Sequence, residues 1–561
     1  MSEIFGKQVD SIPSWWKTIG ISFICLLLIL ATIWFEQPST SKDENASNDQ
    51  FSAARAIKHI EAMAKHPHPV GSDANAEVRT YVLKQMELLG LPPSVDTYHW
   101  SGDDINGEFK SYDIYNIVGI RKGTKPGKAL MLTAHYDSVP DGPGANDDVS
   151  GVATLLETAR ILQAGPPSER DIWFVFTDGE EAGMLGAKEF WKESKHRDAI
   201  GLVANFEARG SSGPSIMFQT SPENGMLISE LSSIAKYPVS NSMLGNMYQK
   251  MPNYTDLNVS IQEGIPGLDF AYIGGWDKYH TAEDTPENVS LASLQHHGEN
   301  ALAVAQRFGN MNLDNLNEPD HVYFNWFGLL VHYPKSLVKP ITSLIGIMLV
   351  LSIAVLLKRG TITAKRIAFS LLAIVGGGVL SAAISYLLYL GITQVGGLIT
   401  GVEIDPEKLP TQLNLIFIAV VLIVHLFVSR WMNRVGNVLE MTLSGMVFYF
   451  LLLVTMLRLI PGASYLFMVP LVVHCVVICW NLHKSSPVKT LQRPWMILIL
   501  AIVPLTLTTS LLHLLYTGLP LKANALVTVL CIVTFSLLQP LFSNLSSIRV
   551  SQLAHMDNRQ Y

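Results

Sequence analysis

The chain has 561 residues and a formal net charge of −7, with 48% hydrophobic and 16% charged residues. It contains no basic block, which excludes the charge pattern typical of nucleic-acid-binding proteins. The mean hydropathy of +0.27 averages a polar middle with very apolar ends, and this split indicates a soluble domain joined to membrane spans. All four cysteines lie in the apolar segments, so the polar middle has neither a disulfide nor a thiolate ligand.

The first apolar run indicates a membrane anchor. Residues 1–17 form a short leading segment, and residues 18–35 are an uncharged run long enough to cross a bilayer. A cleaved signal peptide is the alternative, but the run is long and no small-x-small site precedes Glu36. We therefore expect an uncleaved anchor, followed by a polar linker over residues 36–50.

Residues 51–317 alternate between helical and strand-like patterns. Helical spacing covers residues 53–65, 74–89, 150–162, 183–194 and 291–308, and strand-like runs cover 115–120, 129–134, 171–177, 202–207, 215–219 and 268–273. Such alternation predicts one α/β domain with a mostly parallel mixed sheet flanked by helices.

The chain beyond Tyr333 has the composition of a membrane protein. Seven apolar runs lie near 340–357, 367–390, 412–429, 440–460, 463–481, 494–516 and 523–541, which makes eight spans with the anchor. Alternate loops are basic, as the positive-inside rule requires. This alternation of basic loops predicts that both termini, including the tail over 542–561, are cytoplasmic. The α/β domain would then face the periplasm, the cell surface or an organelle lumen.

A metal-ligand pattern follows the predicted strand over 129–134. His135 and Asp137 end that strand, and Asp147 and Asp148 stand at the end of a turn-rich loop, just before a helix. Imidazole and carboxylate groups at a strand end suit zinc or another divalent metal. Ordinary turn and N-cap residues are the alternative reading. From this stretch alone the two readings are equally favoured.

Three further stretches resolve that choice. Glu180 and Glu181 follow the strand over 171–177, Glu207 ends the next strand, and His280 lies in the loop after the strand over 268–273. Each stretch alone is weak evidence for a metal site, because acidic residues are common at helix N-termini and histidines are common in loops. Together they collect two histidines and several carboxylates at one edge of a sheet, where two metal ions can share a carboxylate.

The order of motifs resembles the di-zinc peptidase family of secreted aminopeptidases, glutamate carboxypeptidases and, by fold, glutaminyl cyclases. The motifs are His-x-Asp at 135, Gly-Ala-x-Asp at 144, Glu-Glu at 180, Asn-x-Glu at 205 and His-Thr-x-x-Asp-Thr at 280. The resemblance covers residues 53–308, including His66-Pro67 to Gly71-Ser72. The multi-span tail narrows it to the membrane-bound branch typified by the vacuolar membrane protease and the endoplasmic-reticulum metallopeptidase.

This resemblance implies a role for each motif. His135 and Glu207 would bind one zinc ion, Glu181 and His280 the other, and Asp147 would bridge both. Asp137 would hydrogen-bond the ring of His135 and fix its tautomer. Glu180 would be the general base. The implied protein is a membrane-anchored zinc exopeptidase, most simply an aminopeptidase, with two zinc ions, short peptides as substrates and the lipid bilayer as its surroundings.

Several alternatives stay open at this stage. A carboxypeptidase, a one-zinc glutaminyl cyclase or a non-catalytic receptor could use the same fold, although all five ligands and the base are present. Soluble relatives carry a Tyr before Pro where this chain has Ile265, so Tyr254, Tyr272 and Tyr279 are candidate substitutes. Arg209 could pair with a substrate carboxylate or with an interior acid. The sequence does not decide the oligomeric state.

Three histidines interrupt the apolar runs: His425, His474 and His513. Ionisable residues inside a membrane are candidate functional groups, and a transport role is the function they would suggest. Helix packing with a hydrogen bond to a neighbour is the favoured interpretation.

Overall fold

The structure is a computed structural model that describes residues 14–103, 108–251, 253–395, 398, 409, 411–519, 521 and 524–546. The cytoplasmic N-terminus predicted over 1–17 is therefore described only from Ser14, and the C-terminal tail only to Ser546. The acids of the third interhelical loop, Glu403, Asp405 and Glu407, lie outside the described residues.

Seven strands form the sheet of the α/β domain. They are β1 (Ser94–Asp103), β2 (Phe109–Arg121), β3 (Ala129–His135), β4 (Ile172–Thr177), β5 (Ile200–Ala208), β6 (Ile216–Thr220) and β7 (Gly267–Tyr272). Their order in the sheet is β1-β2-β4-β3-β5-β7-β6. The four central strands, β4, β3, β5 and β7, pair in parallel, and the strands on either side of them pair antiparallel. The predicted mixed sheet is confirmed. β1 was not predicted, because none of its residues is buried and no apolar run marks it.

Helices cover the sheet, as the sequence predicts. They are α2 (Ala53–Met63), α3 (Asp73–Leu88), α4 (Val149–Ala164), α5 (Leu185–Lys192), α6 (Ser194–Ala199), α7 (Gly225–Ile234), α8 (Ser242–Tyr248), α9 (Asp256–Gln262) and α10 (Leu291–Phe308), after the anchor helix α1 (Ser14–Phe35). α4 packs between β3, α2 and α10 and is buried almost all round. The short helices α7 to α9 were not predicted.

The parallel strands bring the candidate ligands to one edge. His135 is the last residue of β3 and pairs with Thr177, the last residue of β4. Glu207 lies at the end of β5, beside Ala271 of β7. All residues of β3, β5 and β7 are buried, so their apolar side chains hold this edge rigidly against the surrounding helices.

The polar segment predicted as a linker packs against α10. Ser39 Oγ donates to Glu299 Oε2 at 2.8 Å, and the Lys42 N–H donates to Gln295 Oε1 at 3.1 Å. Lys42 also pairs with Glu299. These contacts tie the chain between the anchor and the domain to the domain surface.

A hairpin and a helical bundle follow the domain. The hairpin strands are β8 (His321–Trp326) and β9 (Leu329–Pro334), and the helices are α11 (Val338–Lys358), α12 (Ala364–Leu390), α13 (Asn414–Val435), α14 (Val438–Leu459), α15 (Ser464–Asn481), α16 (Pro487–Leu491), α17 (Pro494–Gly518), α18 (Asn524–Leu537) and α19 (Gln539–Ser546). Among described residues, seven helices, including α1, are long and apolar enough to cross a membrane.

The eighth predicted span, over 523–541, is broken. α18 and the following helix meet at an angle of 83°. Pro540 has no N–H and cannot continue a helix. Gln539 Nε2 donates to the carbonyls of Phe535 and Ser536 beside the break. The same amide lies 3.0 Å from His425 Nε2.

The α/β domain and the hairpin rest on one end of the bundle. Glu36, at the end of α1, lies 3.0 Å from His513 Nδ1 on α17 and accepts a hydrogen bond from Asn325 of β8. Asn246 of α8 accepts a hydrogen bond from the backbone N–H of Gly462, between α14 and α15. The domain therefore contacts loops that the charge pattern assigns to the outer side of the membrane.

The sheet edge that carries the ligands also faces this junction. The loops after β5 and β7 approach the end of α17 so closely that a Cβ atom on Gly274 would lie 2.8 Å from Thr517 Cγ2. The candidate site thus lies beside the bundle.

Candidate metal centre

The first ligand group contains His135, Asp147 and Glu207. His135 Nε2 lies 3.2 Å from Asp147 Oδ1 and 3.5 Å from Glu207 Oε2. All three residues are buried, and one atom of each lies within 4.8 Å of the others.

The second ligand group contains Asp147, Glu181 and His280. His280 Nε2 lies 3.1 Å from Asp147 Oδ2 and 3.1 Å from Glu181 Oε1. Asp147 therefore turns one carboxylate oxygen to each group. His280 is the most accessible ligand, with its side chain 37% exposed.

These separations fit metal ligation. Two ligands at about 2.0–2.1 Å from one tetrahedral zinc ion lie roughly 3.3 Å apart, and the four histidine–carboxylate pairs lie 3.1–3.5 Å apart. Glu181 Oε1 is buried and accepts no hydrogen bond in spite of its nearby histidine. Its lone pairs are thus free for a metal, and the nitrogen and oxygen donors suit zinc.

Asp137 contacts the site differently from the prediction. His135 Nδ1 lies 3.0 Å from the backbone carbonyl of Asp137 and 3.4 Å from its carboxylate. The carbonyl is therefore the hydrogen-bond acceptor that orients the ring. The carboxylate accepts the backbone N–H groups of Glu180 at 3.0 Å and Glu181 at 3.2 Å, so it holds the Glu-Glu turn beneath the metal ligands.

Glu180 precedes Glu181 in the chain, and its carboxylate lies just outside the first ligand group. Its Oε2 atom is 4.0 Å from His135 Nε2. Burial raises the pKa of Glu180 well above the usual value, and the charges of Glu207 and Glu181 raise it further. A buried carboxyl with a raised pKa, facing the ligands from just outside them, has the properties of a proton acceptor.

The histidine ligands respond to the surrounding carboxylates. Burial alone would lower the pKa of His280, but the carboxylates of Asp147 and Glu181, each 3.1 Å from its Nε2 atom, raise it to about 10. The same pairs hold the pKa of Asp147 below its usual value, against the effect of burial. These pKa shifts indicate that the site strongly favours positive charge, as expected of a cluster of carboxylates that can bind cations.

Two further acids hold the loop that carries Asp147. Asp148 Oδ2 accepts the backbone N–H of His135 at 3.2 Å, and Oδ1 accepts that of Gly151 at 3.1 Å as the N-cap of α4. Asp284 accepts from the backbone of Asn146 at 2.9 Å and of Asp147 at 3.2 Å. Both acids act on the backbone and position the bridging carboxylate.

The three tyrosines considered from the sequence differ in their surroundings. The Tyr272 hydroxyl donates inside the core to Asn146 and Ser150, so it is already engaged. Tyr254 is 58% exposed. Tyr279 stacks on His280 with ring centroids 3.7 Å apart, beside a ligand.

Tyr248, at the end of α8, was missed. Burial raises its pKa, and the charges of Asp269, Glu207 and Glu180 raise it further. Thr255 links this region to the sheet by donating to Asp269 Oδ2 at 2.6 Å. The sequence carried no signal for Tyr248, because it lies on a helix with no motif.

Arg209 follows β5 and lies at the rim of the site. Its side chain is exposed and makes no ion pair with any carboxylate in the described part of the chain, so an interior ion pair is excluded there. The guanidinium carbon lies 5.6 Å from the centroid of the Tyr279 ring.

Comparison with known proteins agrees with this geometry. Residues 116–305 match the family model described as Peptidase family M28. Endoplasmic reticulum metallopeptidase 1 of Mus musculus is 32% identical over 344 residues, covering 56% of this chain and 37% of that protein. The vacuolar membrane protease of Candida albicans (strain SC5314) is 31% identical over 280 residues, covering 49% and 32%. The chain thus matches only about a third of the length of these relatives.

Solved structures also align with the α/β domain. An aminopeptidase from Aneurinibacillus sp. strain AM-1 aligns with a TM-score of 0.41 and 15% identity, over 49% of this chain and 97% of that one. The glutaminyl cyclase of Tannerella forsythia aligns with a TM-score of 0.39 and 24% identity, over 46% and 98%.

Proposed function

We propose that the chain, whose residues 116–305 match the family model described as Peptidase family M28, is a membrane-anchored, zinc-dependent exopeptidase. It removes one amino-terminal residue from short peptides outside the cytoplasm. The observation that carries this proposal is the pair of ligand groups sharing Asp147, with Glu180 just outside the first.

The donor sets of the two ligand groups suit zinc. His135 and Glu207 would hold one ion, Glu181 and His280 would hold a second, and Asp147 would offer one oxygen to each. When bound, the ions lower the pKa of water and polarise the scissile carbonyl. Asp137 holds the backbone of the Glu-Glu turn, which fixes the distance between Glu181 and its metal.

Glu180 moves the proton in this mechanism. Its carboxylate accepts a proton from the attacking water as the water oxygen bonds to the carbonyl carbon. The C–N bond then breaks, and Glu180 returns the proton to the leaving amine. The reaction consumes one water and yields an amino acid and a peptide one residue shorter.

The experiment is hydrolysis of aminoacyl-p-nitroanilides and dipeptides by the full chain in detergent. We expect activity that chelation abolishes and zinc restores, and a loss of at least about 10²-fold in Glu180→Gln protein with its zinc content unchanged. Full activity of zinc-loaded Glu180→Gln protein would reject the mechanism. A peptide-library digest distinguishes aminopeptidase, carboxypeptidase and cyclase, and a zinc-loaded chain inert on every substrate would favour a non-catalytic receptor.

The proposal includes the orientation of the chain. The α/β domain contacts the bundle at Gly462 and near Thr517, in loops that the charge pattern assigns to the outer side. An alkaline-phosphatase fusion after Thr363 should be inactive and one after Glu403 active. The reverse pattern would overturn the orientation.

A further inference from the structure

We propose that Arg209 binds the C-terminal carboxylate of the substrate, so that the enzyme acts on dipeptides and tripeptides with a free C-terminus. This inference rests on the proposed function. The inference adds to the proposed function the chemical group that is recognised and the length of peptide that fits.

The charges around the site provide the first argument. The metal centre and its supports are lined by carboxylates: Asp137, Asp147, Asp148, Asp178, Glu180, Glu181, Glu207, Asp256, Asp269 and Asp284. Bound zinc ions would offset this negative charge at the reacting end of a peptide, so a carboxylate at the far end needs a cation of its own at the rim. Arg209 is an exposed cation at the rim, and it has no carboxylate partner among the described residues.

A neighbouring cation shows the contrast. Lys278, in the loop before His280, pairs with Asp277 at 3.1 Å. Arg209 instead lies over the Tyr279 ring, and its guanidinium has neither an ion-pair nor a hydrogen-bond partner among the residues that the structure describes. A guanidinium fork with free donors binds a carboxylate through two parallel hydrogen bonds.

Distances set the length of the substrate. The guanidinium lies 5.6 Å from the Tyr279 ring, and that ring lies 3.7 Å from the ring of His280. The sum of these two distances and the distance from the His280 ring to a bound metal places the guanidinium carbon within roughly 12 Å of a metal ion held by His280. A carboxylate paired with it would lie about 4 Å closer, and each peptide residue spans about 3.5 Å. One or two residues beyond the scissile bond fill the remaining distance.

The test compares peptides that differ only in the charge of the C-terminus. The zinc-loaded full chain in detergent is assayed with Ala-Ala, Ala-Ala-Ala and their C-terminal amides. We expect amidation to lower kcat/KM by about tenfold or more, mainly through KM, because a charge-assisted pair is lost. In Arg209→Ala protein the free acids should fall to the level of the amides, whereas the amides should be little changed. Arg209→Lys should recover part of the difference.

Lys278→Ala is the matched control, since it removes a nearby paired cation and should leave the acid-to-amide ratio as in the wild type. Binding of Ala-Ala and its amide to zinc-loaded Glu180→Gln protein gives a second readout that needs no turnover. Equal kcat/KM and equal Kd for acid and amide in the wild-type site would overturn the inference and leave the peptidase intact. An acid-to-amide ratio unchanged by Arg209→Ala would also overturn it. No hydrolysis of any of the four peptides would reject the proposed function itself.

Discussion

The carboxylate of Asp137 accepts the backbone N–H of Glu180 at 3.0 Å, which joins the end of β3 to the turn after β4. The same carboxylate holds the N–H of Glu181 at 3.2 Å. One buried side chain therefore positions the backbone of both Glu180 and Glu181, while the backbone carbonyl of Asp137 orients the ring of His135.

This relationship predicts the effect of Asp137→Asn. The amide nitrogen of the new side chain would face a backbone N–H, so one of the two hydrogen bonds is lost. We expect kcat/KM to fall about 10- to 100-fold, with weaker zinc binding. Titration with a zinc chelator and steady-state kinetics measure both effects. Asp141→Asn, an exposed acid of the following loop, is the control and should match the wild type.

The sharing of Asp147 predicts two different metal losses. Glu207→Gln removes a ligand of one group only, and we expect about one zinc ion per chain after purification. Asp147→Asn weakens both groups, so less than one ion should remain. Elemental analysis of the purified proteins measures the ratio, with Glu189→Gln as a buried carboxylate outside the site. Two zinc ions retained in both ligand variants would contradict the assignment.

The nearness of Tyr248 to the charges of Glu207 and Glu180 predicts a role in stabilising the tetrahedral intermediate. We expect Tyr248→Phe to lower kcat by about 10²-fold, because a hydroxyl aimed at a developing negative charge contributes that much in similar sites. Zinc content and KM should change little. Tyr254→Phe, at an exposed tyrosine, is the comparison. Equal kcat in the two variants would show that the metal ions carry this charge without Tyr248.

A buried histidine of α10 predicts how stability depends on pH. Burial lowers the pKa of His297 from 6.5 to about 3, and its Nδ1 atom contacts Ser215 Oγ at 2.8 Å. The folded state excludes a proton that the unfolded state binds. The free energy of unfolding should therefore fall by about 1.4 kcal/mol per pH unit as the pH drops below 6.5.

The measurement is thermal unfolding between pH 4.5 and pH 8, at values chosen to bracket the unfolded-state pKa of about 6.5. His297→Gln should show a shallower loss of Tm in acid, whereas His99→Gln, at an exposed histidine, should follow the wild type. Parallel curves for all three proteins would mean that His297 titrates normally.

The candidate ligands could be predicted to gather at one edge because each stands at the end of a strongly apolar strand or in the loop that follows one. β3, β4, β5 and β7 are buried runs with turn residues after them, so their order and their common edge follow from local pattern and the rules of parallel sheets. The spans were predictable for a related reason, since a bilayer requires long apolar helices. The break at Gln539 was missed because Pro540 changes a helix without changing its hydropathy.

The tertiary structure alone decided the contacts between distant residues. Side-chain directions and loop paths decide which oxygen of Asp147 faces which histidine. They also decide that Asp137 holds the backbone of Glu180 and that Tyr248 lies near the site. The freedom of Arg209 depends on them as well, because a cation is paired or unpaired only relative to neighbours brought together by folding. The sequence by itself determined the ligand types and the sheet edge, since these follow from local periodicity. Packing determined the geometry of the site, because that depends on distances between residues far apart in the chain.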